Sequence, residues 1–158
     1  MGIVGLGAVG TSIGLALSAA GRTTVGMDSS RANLDEALRM GAVSRPCRGP
    51  EDFGMCRTVF VAVPPGAVAD VSRSLLDATG ATVVDVASVK SQIAKAVSSP
   101  RFVPSHPLAG THLSGPAGAR RDLFQNATWM VCPTRGTSRT RLIMVENLIR
   151  TMGAEPLR

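Results

Sequence analysis

Residues 2–13 read Gly-Ile-Val-Gly-Leu-Gly-Ala-Val-Gly-Thr-Ser-Ile, and the reading of this stretch decides the fold. The apolar run Gly2 to Leu6 predicts a β-strand. Ala8 to Ala20 predicts a helix whose small residues permit close packing, with Gly21 at its stop. Between them Gly5, Gly7 and Gly10 form a G-x-G-x-x-G. In that context Gly5 permits the tight turn, Gly7 lets the backbone approach a pyrophosphate, and Gly10 lets helix and strand pack closely. The anion would rest on free N–H groups at the positive end of the helix. Gly5, Leu6, Gly7, Ala8, Val9 and Gly10 are therefore the expected cofactor-binding segment; the alternative is a glycine-rich turn without a ligand.

Working outward, a second strand, Thr23 to Met27, ends at Asp28, where an acidic side chain accepts hydrogen bonds from adenosine ribose hydroxyls. That favours NAD over NADP, because a carboxylate repels a 2′-phosphate. Ser29, Ser30 and Arg31 follow at once as a competing phosphate site, and Asp28 has the alternative role of capping the next helix. Helices are expected at Arg31 to Met40, Ala67 to Leu76, Ser91 to Val97 and Ser138 to Met152. Strands are expected at Ala42 to Ser44 (a short edge), Thr58 to Val63, Ala81 to Val86, Arg101 to Pro104, Thr128 to Cys132 and Ala154 to Leu157. Arg45 to Arg57, with two prolines and two glycines, reads as a flexible loop. This alternation predicts an α/β fold with a doubly wound, mostly parallel sheet, the Rossmann dinucleotide-binding fold, over residues 1–158 as one domain.

Composition narrows the function. The 158 residues are 44% hydrophobic, enough for one core. Apolar runs fall far short of the roughly 20 residues a bilayer span needs, and the start lacks the basic leader of a signal peptide, so a cytoplasmic protein with no membrane partner is expected. Cys47, Cys56 and Cys132 have no metal-ligand spacing, so neither a metal site nor a disulfide framework is expected. The formal charge of +6 is scattered rather than gathered in a run. It suits small anionic molecules, while one tryptophan, four phenylalanines and no tyrosine leave few platforms for stacking bases. No nucleic-acid partner is expected; a basic nucleic-acid binder is the last-ranked reading, and it would show strongly salt-dependent binding.

In a doubly wound sheet, loops at the carboxyl ends of the strands line the ligand crevice. Three such ends carry polar residues or prolines after apolar runs. Val63-Pro64 should border the cofactor. Asp85-Val86-Ala87-Ser88-Val89-Lys90 and Ser105-His106-Pro107-Leu108-Ala109-Gly110-Thr111 bring Ser88, Lys90, His106 and Thr111 toward one site. His106 is expected in the loop after Pro104. The plainer alternatives are a helix cap for Ser88, a solvated charge for Lys90 and a loop imidazole bonded to backbone for His106.

Gly5 to Gly10, the Val-Ala-Val-Pro strand end, Asp85-x-x-Ser88-Val89-Lys90, and above all His106-Pro107-Leu108-Ala109-Gly110-Thr111 with Ser114-Gly115 and Leu123-Phe124 downstream, resemble the prephenate dehydrogenase family, arogenate-using relatives included. The similarity runs through the whole chain in order. It implies an NAD-dependent oxidoreductase of tyrosine biosynthesis. Hydride leaves the ring carbon bearing the hydroxyl of a cyclohexadienyl substrate, the ring carboxylate departs as carbon dioxide, and an aromatic product results. By the resemblance His106 is the catalytic base that takes the hydroxyl proton, a role suited to imidazole near neutral pH. Ser88, lying close to the nicotinamide and so counted with the cofactor-binding residues, would hydrogen-bond the substrate hydroxyl or orient His106, Thr111 would shape the pocket, and Lys90 would attract the substrate carboxylates.

Two departures stand out. Family members often carry an acidic residue directly after the Gly-Thr, where this chain has His112. The family also continues into a helical dimerisation domain that supplies an arginine to the substrate carboxylate; residues 1–158 are expected to be the nucleotide-binding half without it, and a homodimer is expected only where that domain is present. Competing functions are an amino-substituted prephenate dehydrogenase of specialised metabolism and a non-catalytic NAD-binding module; the latter would need neither Ser88 nor His106.

Overall fold

The structure, a computed structural model, describes all 158 residues. In chain order the elements are β1 (Gly2–Val4), α1 (Ala8–Ala19), β2 (Val25–Met27), α2 (Arg31–Arg39), β3 (Arg45–Pro46), β4 (Thr58–Val61), α3 (Pro65–Ala78), β5 (Thr82–Asp85), α4 (Ser91–Ala96), β6 (Phe102–Pro107), β7 (Thr128–Val131), α5 (Arg139–Thr151) and β8 (Glu155–Leu157). Short 3₁₀ turns occupy Pro50–Phe53 and Pro116–Gly118. One eight-stranded sheet runs in the order β3-β2-β1-β4-β5-β6-β7-β8. The strand order reverses between β1 and β4, which opens a crevice at their carboxyl ends. The expected doubly wound, mostly parallel architecture is present.

Alternate residues of the central strands go to opposite, helix-covered sides, so apolar residues dominate both faces of each strand. Ile3, Phe60, Val84 and Val103 join a cluster of 22 buried residues with Ile13 and Leu17 of α1, Leu34 of α2 and Val145 and Ile149 of α5. Val4, Val61, Val83 and Phe102 join a cluster of 14 on the other face, with Val68 and Leu75 of α3 and Ile93 of α4. Each such side chain contributes about 1.5–3 kcal/mol by leaving water. Trp129 anchors the larger cluster, its ring centroid 4.9 Å from that of Phe124 and 6.5 Å from that of Phe60. No helix is long and apolar enough to cross a membrane.

Three expectations are corrected. The edge strand lies at Arg45–Pro46 rather than Ala42 to Ser44, because Ala42 and Val43 are drawn into the core and only the next residues reach the rim of β2. Arg45 to Arg57 is not all loop, since it holds β3 and the 3₁₀ turn Pro50–Phe53 and is pinned at two points. Phe53 is fully buried against Gly2, and the Cys47 N–H donates to the Gly26 carbonyl at 2.7 Å. His106 lies in a strand and not in a loop. β6 continues to Pro107 because β7 runs antiparallel beside its far end, pairing Ser105 with Val131, His106 with Met130 and Pro107 with Trp129.

Candidate active site

The loops after β1, β2 and β4 enclose a cleft of about 1210 Å³ at the strand reversal. Its floor is backbone. Gly5 has φ +89°, a conformation L side chains rarely adopt, and a Cβ there would meet the Ala62 carbonyl oxygen at 2.5 Å. At Gly10 a Cβ would stand 1.9 Å from the Gly5 carbonyl oxygen, so close packing of α1 on the turn demands glycine. Gly7 differs: its φ is −71°, and a Cβ would meet nothing within 4 Å. The protein itself gives no reason for glycine at position 7; the open space faces the cleft, as a ligand resting on the α1 N-terminus requires.

Asp28 joins two loops. Its carboxylate accepts the Leu6 N–H at 2.5 Å and the Ser30 N–H at 2.7 Å. The cap of α2 is Ser30, whose hydroxyl accepts the Asn33 N–H at 3.3 Å. Asp28 is thus fixed at the rim of the cleft. Gly5, Gly7, Ala8, Val9, Asp28, Val63 and Pro64 all line it, whereas Leu6, Gly10 and Ser88 do not. Leu6 puts its side chain in the core and spends its N–H on Asp28.

The ends of β5 and β6 form a second polar centre. Asp85 is fully buried and paired with the Lys90 ammonium, which also donates to the Ser105 carbonyl at 2.7 Å. Burial pushes the Asp85 carboxyl up and the Lys90 ammonium down, each opposed by the partner's charge. The contact geometry is that of an ion pair, so the Lys90 ammonium is turned inward onto Asp85 and the Ser105 carbonyl. The Ser105 hydroxyl donates to the Asp85 carbonyl at 2.8 Å and accepts the Trp129 indole N–H at 3.0 Å. On this frame sits half-buried His106, its Nδ1 3.2 Å from the Val86 carbonyl oxygen. A carbonyl only accepts, so this contact calls for a hydrogen on Nδ1, which in the neutral ring leaves the lone pair on Nε2. Ser88 is exposed two residues beyond Val86, and the Thr111 hydroxyl oxygen accepts the Leu113 N–H at 3.2 Å.

Comparison with known proteins bears directly on this arrangement. Residues 13–157 match the family model described as the prephenate dehydrogenase nucleotide-binding domain. The chain belongs to the prephenate dehydrogenase family. It is 37% identical to a Streptomyces niveus protein named a probable prephenate dehydrogenase, NovF, over 98% of this chain and 43% of that protein. Among solved structures it is similar to Synechocystis arogenate dehydrogenase (26% identity, TM-score 0.90, 99% of this chain and 58% of that one). It is also similar to the prephenate dehydrogenase of A. aeolicus in complex with hydroxyphenyl propionate and NAD+ (26% identity, TM-score 0.92, 99% and 58%). The chain thus spans less than half the length of that curated relative.

For this prephenate dehydrogenase family member, sequence reasoning missed several groups that tertiary packing brings forward. Cys47, Arg48, Asn33, Ala67 and Val71 line the cleft, as do Ser114 and Gly115. Burial among apolar neighbours pushes the Cys47 thiol up to about 11. Asp85 gave a signal that was available in the sequence: a carboxylate closing a wholly apolar strand needs a partner, and Lys90 stands five residues on.

Proposed function

We propose that residues 1–158 act as the dinucleotide-binding domain of an NAD-dependent dehydrogenase of prephenate or arogenate, a step of tyrosine biosynthesis, with His106 as the base. The observation that carries this reading is the 3.2 Å contact of His106 Nδ1 with the Val86 carbonyl oxygen: with an Nδ1–H spent there, Nε2 of the neutral ring would accept a proton from a substrate hydroxyl. Gly5, Gly7, Ala8 and Val9 would hold the pyrophosphate, Asp28 the adenosine ribose, and Val63 and Pro64 would border the cofactor. The open Cβ direction at Gly7 fits such a group. NAD, when bound, supplies the hydride acceptor. Asp28 favours NAD over NADP by charge. Ser88, exposed two residues beyond Val86, would hydrogen-bond the substrate hydroxyl, and Thr111 lies in the loop beyond His106. Lys90 supports the strand that carries His106 rather than meeting the substrate carboxylates.

The test is reduced-cofactor formation from NAD+ with prephenate or with arogenate. His106→Asn should lower kcat by about 10²–10⁴-fold, the usual worth of a positioned base, while calorimetric affinity for NAD+ stays unchanged. Full turnover in that variant would remove His106 from the role. Cofactor binding with no turnover by the unaltered protein would favour the binding-module reading.

A further inference from the structure

The loop after β6 does not end its work at Thr111. It turns back across the molecule, and Ser114 and Gly115 come to line the same cleft as Gly5, Asp28 and Ser30. Gly115 adopts φ +70° and lies beside α2: a Cβ on it would stand 3.7 Å from Asn33 Oδ1. Asn33 belongs to the first turn of α2, next to the Ser30 cap. Ser114 and Gly115 therefore stand at the Asp28 end of the cleft, where the adenosine ribose of a dinucleotide is expected.

The far limb of this loop is fixed. Pro116 and Gly118 are buried, and a Cβ on Gly118 would meet the Leu113 carbonyl oxygen at 2.5 Å. The Arg120 N–H donates to the Ser12 hydroxyl oxygen at 3.0 Å, and that hydroxyl donates to the Ala8 carbonyl at 2.7 Å in the first turn of α1. The near limb is continuous with β6 and His106. One segment thus connects the base, by way of Thr111, to a wall of the nucleotide cleft and then to the helix whose N-terminus faces that cleft.

We infer that Ser114 and Gly115 form a cofactor-binding strap that contacts the adenosine ribose–phosphate half of the dinucleotide and couples its binding to the segment carrying His106 and Thr111. This rests on the dinucleotide-binding reading above. Coupling through a shared segment is reciprocal, so cofactor orders the substrate loop and an ordered loop tightens cofactor binding.

Hydrogen exchange of the protein with and without NAD+, read beside titrations with NAD+ and with ADP-ribose, tests it. Protection should appear in residues 108–115 together with the Gly5–Gly10 segment. Ser114→Ala should weaken NAD+ and ADP-ribose equally, by about three- to tenfold, the worth of one hydrogen bond. Gly115→Ala, strained at its positive φ, should weaken both as well. Protection of Gly5–Gly10 without 108–115, with unchanged affinities in both variants, would overturn the strap and leave the dinucleotide site standing. A loss confined to NAD+ with ADP-ribose unaffected would overturn the adenosine-side placement. An unaltered protein that binds neither ligand would overturn the cofactor reading itself, and this inference with it.

Discussion

The glycine cradle after β1 and the His106 edge after β6 are built from different materials. The cradle is made of backbone: Gly10 is forced by the Gly5 carbonyl oxygen within the turn, Gly5 by the Ala62 carbonyl oxygen at the end of β4, and its walls close around a cleft inside this chain. The His106 edge is made of side chains on a buried ion pair, and its outer face is open. Met130, opposite His106, and Leu157, opposite Met130, are 40% and 57% exposed. Residues directly opposite share a sheet face, so His106 looks out over an apolar, uncovered surface. Backbone recognition of a phosphate is local and finishes within one β-α unit. Side-chain chemistry on a substrate draws on whatever the tertiary fold sets beside it.

The sharpest way to break the comparison is at Lys90. Lys90→Met leaves the buried Asp85 carboxylate without its partner, which should cost about 3–5 kcal/mol in urea denaturation and impair turnover through displacement of the Ser105–His106 strand. Asp85 is already held above the ordinary carboxylate range by burial, with Lys90 pulling it down, so the variant carries a still higher folded-state pKa. A raised carboxyl favours the folded state when protonated. The deficit should therefore be greatest at neutral pH and shrink as pH falls through that raised value. Asp85→Asn combined with Lys90→Met should recover much of the loss. A single variant as stable as the parent would mean that the pair does not support the edge.

The cradle is probed by two glycines with opposite expectations. Gly10→Ala drives a Cβ into the Gly5 carbonyl oxygen and should cost about 1–3 kcal/mol of stability along with dinucleotide affinity. Gly7→Ala, whose Cβ meets nothing, should leave stability intact while weakening the dinucleotide alone, as read by thermal shift and calorimetry. Equal stability losses in the two would deny that the space at position 7 belongs to a ligand.

Cofactor preference sharpens the same region with a smaller effect. Asp28→Ser should weaken NAD+ by about tenfold, the scale of a hydrogen bond to a charged group, and ease NADP+; an unchanged ratio would take Asp28 out of the site. Smallest is the pairing of Arg158 with Glu146 of α5. The Arg158 guanidinium holds the Glu146 carboxyl below its ordinary value. Its stabilisation is thus fully present above the ordinary carboxylate range and is lost as pH falls through the depressed value. Arg158→Ala should lower Tm by no more than about 2 °C near neutrality and by nothing in strong acid.

Much of the cradle was legible because its causes are local. Gly10 answers to a backbone oxygen five residues away, Gly5 needs its positive φ for the turn itself although the atom a Cβ would meet belongs to Ala62, and the strand-turn-helix pattern around them shows in consecutive residues. Asp28 and Val63-Pro64 follow from the same rule, since loops at strand ends must face the crevice. The His106 edge was legible as a set of residue types and not as an arrangement. Pro104 suggested an end to β6, and nothing nearby in sequence announced that β7 would pair antiparallel beyond it and carry His106 into the sheet. Lys90 read either as a solvated charge or as an attractor of substrate carboxylates, and pairing with buried Asp85 fixed its direction.

The sequence by itself determined the order of strands and helices, the glycine turn that can cradle a phosphate, and the polar residues at the carboxyl ends of β5 and β6. These depend on backbone sterics and on hydrophobic periodicity, which act over a few neighbouring residues. Only the tertiary structure decided which way Lys90 points, which imidazole nitrogen of His106 faces the Val86 carbonyl, and that Ser114 and Gly115 return to the nucleotide cleft. Each of these is set by a partner distant along the chain, and a buried charge or ring nitrogen settles its orientation only when packing supplies that partner.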